Sequence, residues 1–208
     1  MSTDAPKRAR KSAAERAAEI AAAARAIALG DGLHALTLRA VADRVGVTAP
    51  LVAHYQPSMD ALVAETFRAI VADELTEVAA HVRAHIERDR VAGLRALLLT
   101  LLAGGRDDVT AVWVDGWSLS RRNPLLAEAV REQTEAWHAL LASLVLASVD
   151  LGALSNAEAD RAAAQLLAMV DGLNTHAMIG FRSGTANVAL IARALESELR
   201  LAPGSLAD

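Results

Sequence analysis

The stretch from Thr37 to Ser58 most constrains what this chain can fold into, because helix start and stop signals follow one another there at intervals that suit only short helical units. Thr37 can cap a helix over 38–45, in which Leu38, Val41 and Val45 form an i, i+3, i+7 apolar stripe. Gly46-Val47 breaks it. Thr48 can cap a second helix over 49–55, with Pro50 in the first turn, where a missing N–H costs little. Gln56-Pro57 ends that unit. Ser58 then caps a long helix through Met59, Leu62, Val63, Phe67, Ile70 and Leu75 to about Ile86.

The same pattern extends in both directions. Upstream, Ile20, Ala24, Ile27 and Ala28 share one side of a helix over 12–29, closed by Gly30-Asp31-Gly32. Downstream, helices are expected near 91–103, 107–122, 124–151, 156–181 and 186–201, separated at Gly104-Gly105, Asn123-Pro124, Gly152 to Ser155 and Ser183-Gly184. No segment sustains the alternation of a strand, so the fold class is all-α with about nine helices. Composition agrees: 53% of residues are hydrophobic and 22% charged, enough for a sizeable core. The absence of cysteine excludes disulfides, thiolate metal sites and cysteine nucleophiles. No apolar run approaches the roughly 20 residues of a membrane span, and the polar, basic start of the chain is unlike a signal peptide. The expectation is a cytoplasmic protein without a membrane partner or a cofactor.

Charge is unevenly placed. Residues 1–57 hold eight Lys/Arg against five acids, a balance of +3 that leaves −7 for the remainder of a chain whose net charge is −4. A basic head on an acidic body suits a protein that meets phosphate with one end. Two short capped helices joined by a Gly turn and braced by longer ones form a helix-turn-helix.

The residues of that unit carry a closer likeness. The run from Leu33 through Thr37-Leu38-Arg39-Ala40-Val41-Ala42-Asp43-Arg44-Val45-Gly46-Val47-Thr48, and on through Leu51, His54-Tyr55 and Ser58 to Leu62-Val63, resembles the DNA-binding domain of the TetR/AcrR regulators. About 50 residues are covered, in agreement at the turn glycine and all three hydroxyl caps. The resemblance implies a ligand-responsive one-component regulator, a repressor that grips a double-stranded, inverted-repeat operator as a homodimer and is released by a small, partly apolar effector. Three positions depart from the family pattern: Ala53, Gln56 and Met59 stand where it often has Tyr, Phe and Lys. Two of these are backbone contacts in the family.

The chemistry of the segment fits DNA. Thr37 and Thr48 sit at helix N-termini, where free N–H groups favour phosphate. The first turn of the second helix, Thr48, Ala49 and Pro50, would offer a hydroxyl and small apolar atoms to base edges. By the resemblance, Arg39 matches a base-reading position and His54 and Tyr55 match backbone-contacting ones. Lys7, Arg8, Arg10 and Lys11 form an arm able to reach an adjacent minor groove. On this reading 1–11 is a basic arm, 12–57 the DNA-binding domain and 58–208 the ligand-binding and dimerisation domain.

In that larger domain Trp113-Val114-Asp115-Gly116-Trp117, Arg121-Arg122-Asn123-Pro124, Trp137 and Asp171-Gly172-Leu173 resemble the BetI-like type of C-terminal domain. Trp113, Trp117, Trp137, Asp171, Asn174, His176 and Met178 are the bulky or polar candidates for an effector pocket. Asp171 beside Gly172 in an apolar helix stands out, since a buried carboxyl needs a partner. The resemblance implies a dimer interface on the last two long helices, for which Leu166, Val170 and Leu173 on one and Val188, Ile191 and Leu195 on the other supply apolar stripes; either stripe could instead be the core of a single chain. An alternative without sequence-specific DNA binding is a helical interaction bundle or a metal-binding one. Glu77, His81 and His85 lie at i, i+4, i+8, but no fourth ligand is identifiable. No nucleophile motif or phosphate loop supports an enzyme.

Overall fold

The computed structural model describes residues 11–150, 154–181 and 184–206, and among these it contains nine α-helices and no strand. α1 (Ala13–Asp31) opens on a reciprocal cap, in which Ser12 Oγ accepts the Glu15 N–H while the Glu15 carboxylate accepts the Ser12 N–H at 2.7 Å. The glycines after it divide the work of stopping it. Gly30 stays helical, and Gly32, at φ 92°, takes the conformation that turns the chain. A 3-10 turn over Leu33–Ala35, absent from the sequence reading, follows.

α2 (Leu38–Val45), α3 (Ala49–Tyr55) and α4 (Met59–Ile86) have the boundaries expected of them. Thr37 and Ser58 accept the N–H groups of Ala40 and Ala61 as side-chain caps. Gly46 is left-handed at φ 74°, which lets its own N–H and that of Val47 both reach the Ala42 carbonyl. α5 (Arg90–Leu102) is capped by Asp89, and α6 (Asp107–Leu119) follows the paired glycines. α7 (Pro124–Ala147) is capped by Asn123, whose amide also donates to the Asp60 carbonyl at the start of α4. α8 (Asn156–Met178) and α9 (Thr185–Glu198) complete the chain.

α6 to α9 each end three or four residues before the apolar pattern does. Val149 and Leu199, just past two of these ends, are still buried. Apolar periodicity reports which side chains are packed, and packing continues into turns that have left the helical hydrogen-bond ladder.

Ile20, Ala24, Ile27, Leu33, Val41 and Val52 belong to the buried core of the first three helices. α4 is the spine of the molecule, packed on α1, α5 and α7, with Phe67, Ile70, Val71, Val78 and Val82 all at 0–1% exposure. Each such side chain contributes about 1.5–3 kcal/mol of apolar burial. α7 packs on α8, α8 on α9, and α9 back on α5. α6 touches α1 and the Leu33–Ala35 turn on one side and α4, α7 and α8 on the other. Gly116 allows that close crossing, because a Cβ there would lie 2.7 Å from the Phe67 ring.

Candidate functional site

The helix-turn-helix presents a polar face. Thr37, Arg39, Thr48, Pro50 and His54 are exposed, and Ala49 is half-buried. The Thr48 side chain makes no cap bond, unlike Thr37, so its hydroxyl is uncommitted to its own helix. The Arg39 side chain is 90% exposed and stands 3.7 Å from Asp43, an arrangement of little energetic consequence that leaves the guanidinium in solvent. Tyr55 is half-buried, packs on the core and meets the His54 ring edge-on at 5.2 Å. Leu51 is half-buried on α3. In the arm, Lys11 is exposed and ion-paired with Glu19; Lys7, Arg8 and Arg10 lie outside the described residues.

The second site is a cavity walled by α4 to α8 and partly open to solvent, with about 560 Å³ of non-atom space when the solvent at its mouth is included. Trp113, Trp117, Trp137, Asp171 and Asn174 line it, as do Glu74, Arg106 and Thr110. Trp113 and Trp117, one turn apart on α6, hold their rings 5.8 Å apart, and Phe67 braces Trp113 edge-on at 5.1 Å. Trp137 is 4% exposed, and its Nε1 has no acceptor among the described residues. The Asn174 amide donates to the Leu101 carbonyl at 2.9 Å, which fixes that side chain against α5.

Two carboxyls share this cavity under different terms. Glu74 accepts from Arg106 at 3.0 Å, and the nearby Trp113 indole also favours its ionised form. Burial still pushes its pKa up, with Arg106 and Trp113 only partly offsetting that cost. The Asp171 carboxyl has no hydrogen-bond or ion-pair partner among the described residues; burial, helped by the nearby Glu74 charge, raises its pKa to about 6. The cavity therefore holds one compensated acid and one that lacks a counter-charge.

Other expected residues fall elsewhere. His176 is exposed and packs its ring on Phe181. Five residues on from Asp171, it is rotated roughly 140° around the helix and faces away from the cavity. Met178 is the last residue of α8, about 10 Å along the axis from Asp171, and is 44% exposed. The expected interface stripe lies largely within the single chain. Leu166, Val170, Val188, Ile191 and Leu195 are 0–8% exposed in the single chain, and Leu173 packs on the same core. Apart from Leu173, which is partly exposed, these side chains are covered by their own helices and leave little surface for a second copy, and Val170 is a cavity wall.

Glu74, Arg106 and Thr110, with Leu101, Leu141 and Leu167, also line the cavity, and sequence reasoning does not single them out for it. Glu74 left a readable trace. It sits in register with Phe67, Ile70, Val71 and Val78, a lone acid in the buried face of α4. Arg106, in a loop after two glycines, left none.

α6 joins the two sites. Its Trp113 and Trp117 face the cavity, while Asp115 accepts the His34 N–H at 3.3 Å and pairs with the His34 ring at 3.0 Å, at the turn before α2.

The comparisons with known proteins fall on the same two parts. Residues 20–66 match the family model for bacterial regulatory proteins of the tetR family, and residues 87–200 match that for the C-terminal domain of BetI-type transcriptional repressors. The chain is 31% identical over 148 residues to the HTH-type transcriptional regulator BetI of Burkholderia lata, covering 68% of this chain and 71% of that protein. Among solved structures, a putative transcriptional regulator from Pseudomonas aeruginosa PAO1 superposes with a TM-score of 0.70 at 21% identity, over 94% of this chain and 95% of that one. A putative transcriptional regulator from Saccharomonospora viridis, in complex with choline, does so at 0.65 and 21%, over 90% and 94%. With a helix-turn-helix at one end, an aromatic cavity in the body and sequence matches to both, the chain belongs to the TetR family of bacterial transcriptional regulators, in the group whose C-terminal domain is of the BetI repressor type.

Proposed function

We propose that this regulator represses by binding an inverted-repeat operator as a homodimer, and that a small organic cation of the choline class, held among Trp113, Trp117, Trp137 and Asp171, releases it. The observation that carries the reading is the uncompensated Asp171 carboxyl inside a cavity lined by the three indoles. Indole faces attract a quaternary ammonium by about 0.5–2 kcal/mol each, and a buried carboxylate adds the counter-charge. The free Trp137 Nε1 further favours a cation that carries an oxygen acceptor. The choline complex of a structural relative supports the same class.

On the DNA side, Arg39 and the first turn of α3 would read bases in the major groove. Thr37, His54, Tyr55 and the arm through Lys11 would meet phosphate or the neighbouring minor groove. Two such heads must sit roughly 34–36 Å apart to fit successive grooves. The effector would stabilise a position of α6 that carries the Leu33–Ala35 turn, and with it α2 and α3, out of that spacing. No described helix is long and apolar enough to cross a membrane, in keeping with a regulator of chromosomal DNA.

Selection of bound duplexes from a random pool at about 0.15 M salt, followed by titration of choline into the selected complex, tests both halves. The expected result is an enriched inverted repeat whose complex dissociates as choline saturates tryptophan quenching. Enrichment without any response to choline or other small ammonium ions would remove the effector class and leave the DNA reading standing.

A further inference from the structure

We propose that the buried Glu74–Arg106 pair sets the charge the effector cavity accepts: by cancelling one of its two carboxylates, the pair leaves room for a single positive charge. This rests on reading the cavity as a cation site.

Among the described residues three charged side chains line the cavity, Glu74 from α4, Asp171 from α8 and Arg106 from the residue before α6. Arg106 is held at 3.0 Å by Glu74, with side-chain exposures of 26% and 9%. Its backbone is anchored at the first turn of α6, where the Thr110 N–H bonds the Arg106 carbonyl at 2.9 Å. Glu74 is further engaged by Trp113. The pair is thus a neutral unit, and the charge left over resides on Asp171. In a poorly solvated cavity a charge without a partner is expensive, so occupancy is governed by the sum of the charges present. A neutral ligand leaves Asp171 desolvated and unpaired. A dication that places both charges inside leaves one of its own unpaired. A monocation closes the balance.

The bland account of the pair is that it ties α4 to α6 and has no bearing on selectivity. The two accounts differ in what happens when the charges are removed singly and together. The full chain is titrated by tryptophan fluorescence at pH 8, above the value of about 6 for Asp171. The probes are choline, its neutral carbon isostere 3,3-dimethylbutan-1-ol, and the bis-quaternary hexamethonium. Wild type prefers choline over both by about tenfold or more. Glu74→Gln leaves Arg106 facing Asp171 alone, a neutral cavity, so choline affinity falls by about tenfold or more and the preference over the isostere disappears. Arg106→Gln leaves two carboxyls, and the hexamethonium-to-choline affinity ratio rises by about tenfold. Combining Glu74→Gln with Arg106→Gln replaces the ion pair by an amide pair and restores one net negative charge, returning choline affinity to within about threefold of wild type.

Circular dichroism melts establish that each variant is folded. A folded double variant that binds choline no better than Glu74→Gln, or a folded Arg106→Gln that keeps the wild-type ratio, overturns the proposal while the cation reading stands. Wild-type protein that binds the isostere as well as choline, or binds none of the probes, overturns the cation reading and this proposal with it.

Discussion

Asp171 is a residue the fold would be more stable without. A carboxyl raised from 3.8 to about 6 by burial binds a proton more tightly in the native state than in the unfolded one. Stability therefore falls as pH rises between those two values, and the deficit persists at neutral pH. Because the side chain is only half-buried, solvent screening reduces the deficit to about 1 kcal/mol. Asp171→Asn is expected to raise the melting temperature of the ligand-free protein at pH 7.5 and to abolish choline binding in the same sample. A variant that is no more stable, or that still binds, would show that the carboxyl is well solvated and not the counter-charge. The same shift makes effector affinity pH-dependent, since the cation needs the ionised form. Between pH 8 and pH 5 choline affinity should drop by about tenfold, most of it below pH 6. A flat profile over that range would assign the cation to the indoles alone.

At the scale of elements, α6 carries the argument, because one short helix faces both the cavity and the base of the DNA-binding unit. Its register is fixed by Gly116 against Phe67, which turns Trp113 and Trp117 inward and leaves Asp115 on the side of His34. If that contact transmits occupancy, Asp115→Ala should leave the choline dissociation constant within about twofold of wild type and weaken choline-driven operator release several-fold, a loss within the 1–3 kcal/mol usual for coupling between sites. Paired fluorescence and operator-release titrations would show it, and an unchanged response would place the transmission elsewhere on α6. Helices like this were legible in the sequence because caps and glycines mark them locally: Thr37, Gly46 and Ser58 bracket α2 and the start of α4 to the residue. Most of the aromatic cavity was legible too, since two tryptophans one turn apart on the same helix declare a shared face. What escaped depends on distance in sequence. Arg106 acquires meaning only when α4 brings Glu74 to it, a pairing 32 positions apart that no local pattern encodes. The stripes of α8 and α9 are ambiguous for a related reason, because periodicity identifies a buried face without saying whether the chain itself or a second copy buries it.

For the whole molecule, the question left by those stripes is which face of α8 and α9 a partner would use. Ala164, Ala168 and Gly172 repeat at one-turn intervals along the exposed side of α8, and Ile179 beyond the helix end is 79% exposed. Small residues in such a row permit close approach of another helix, and two helices from each copy would form the four-helix interface of the proposed dimer. Gly172 allows a clean test, since a Cβ built there meets nothing within 4 Å in the single chain. Gly172→Arg should leave the monomer fold intact, even gaining up to about 1 kcal/mol of helix propensity. A second copy could no longer seat its helices against that row. Sedimentation should then show a folded monomer with undiminished helical dichroism. Its affinity for a full inverted repeat should collapse toward that for a half-site, while choline still quenches tryptophan, because the cavity is built within one chain. A variant that stays dimeric and binds the full repeat as tightly as wild type would move the interface off this face of α8, and the coupling of two heads would have to run through another surface.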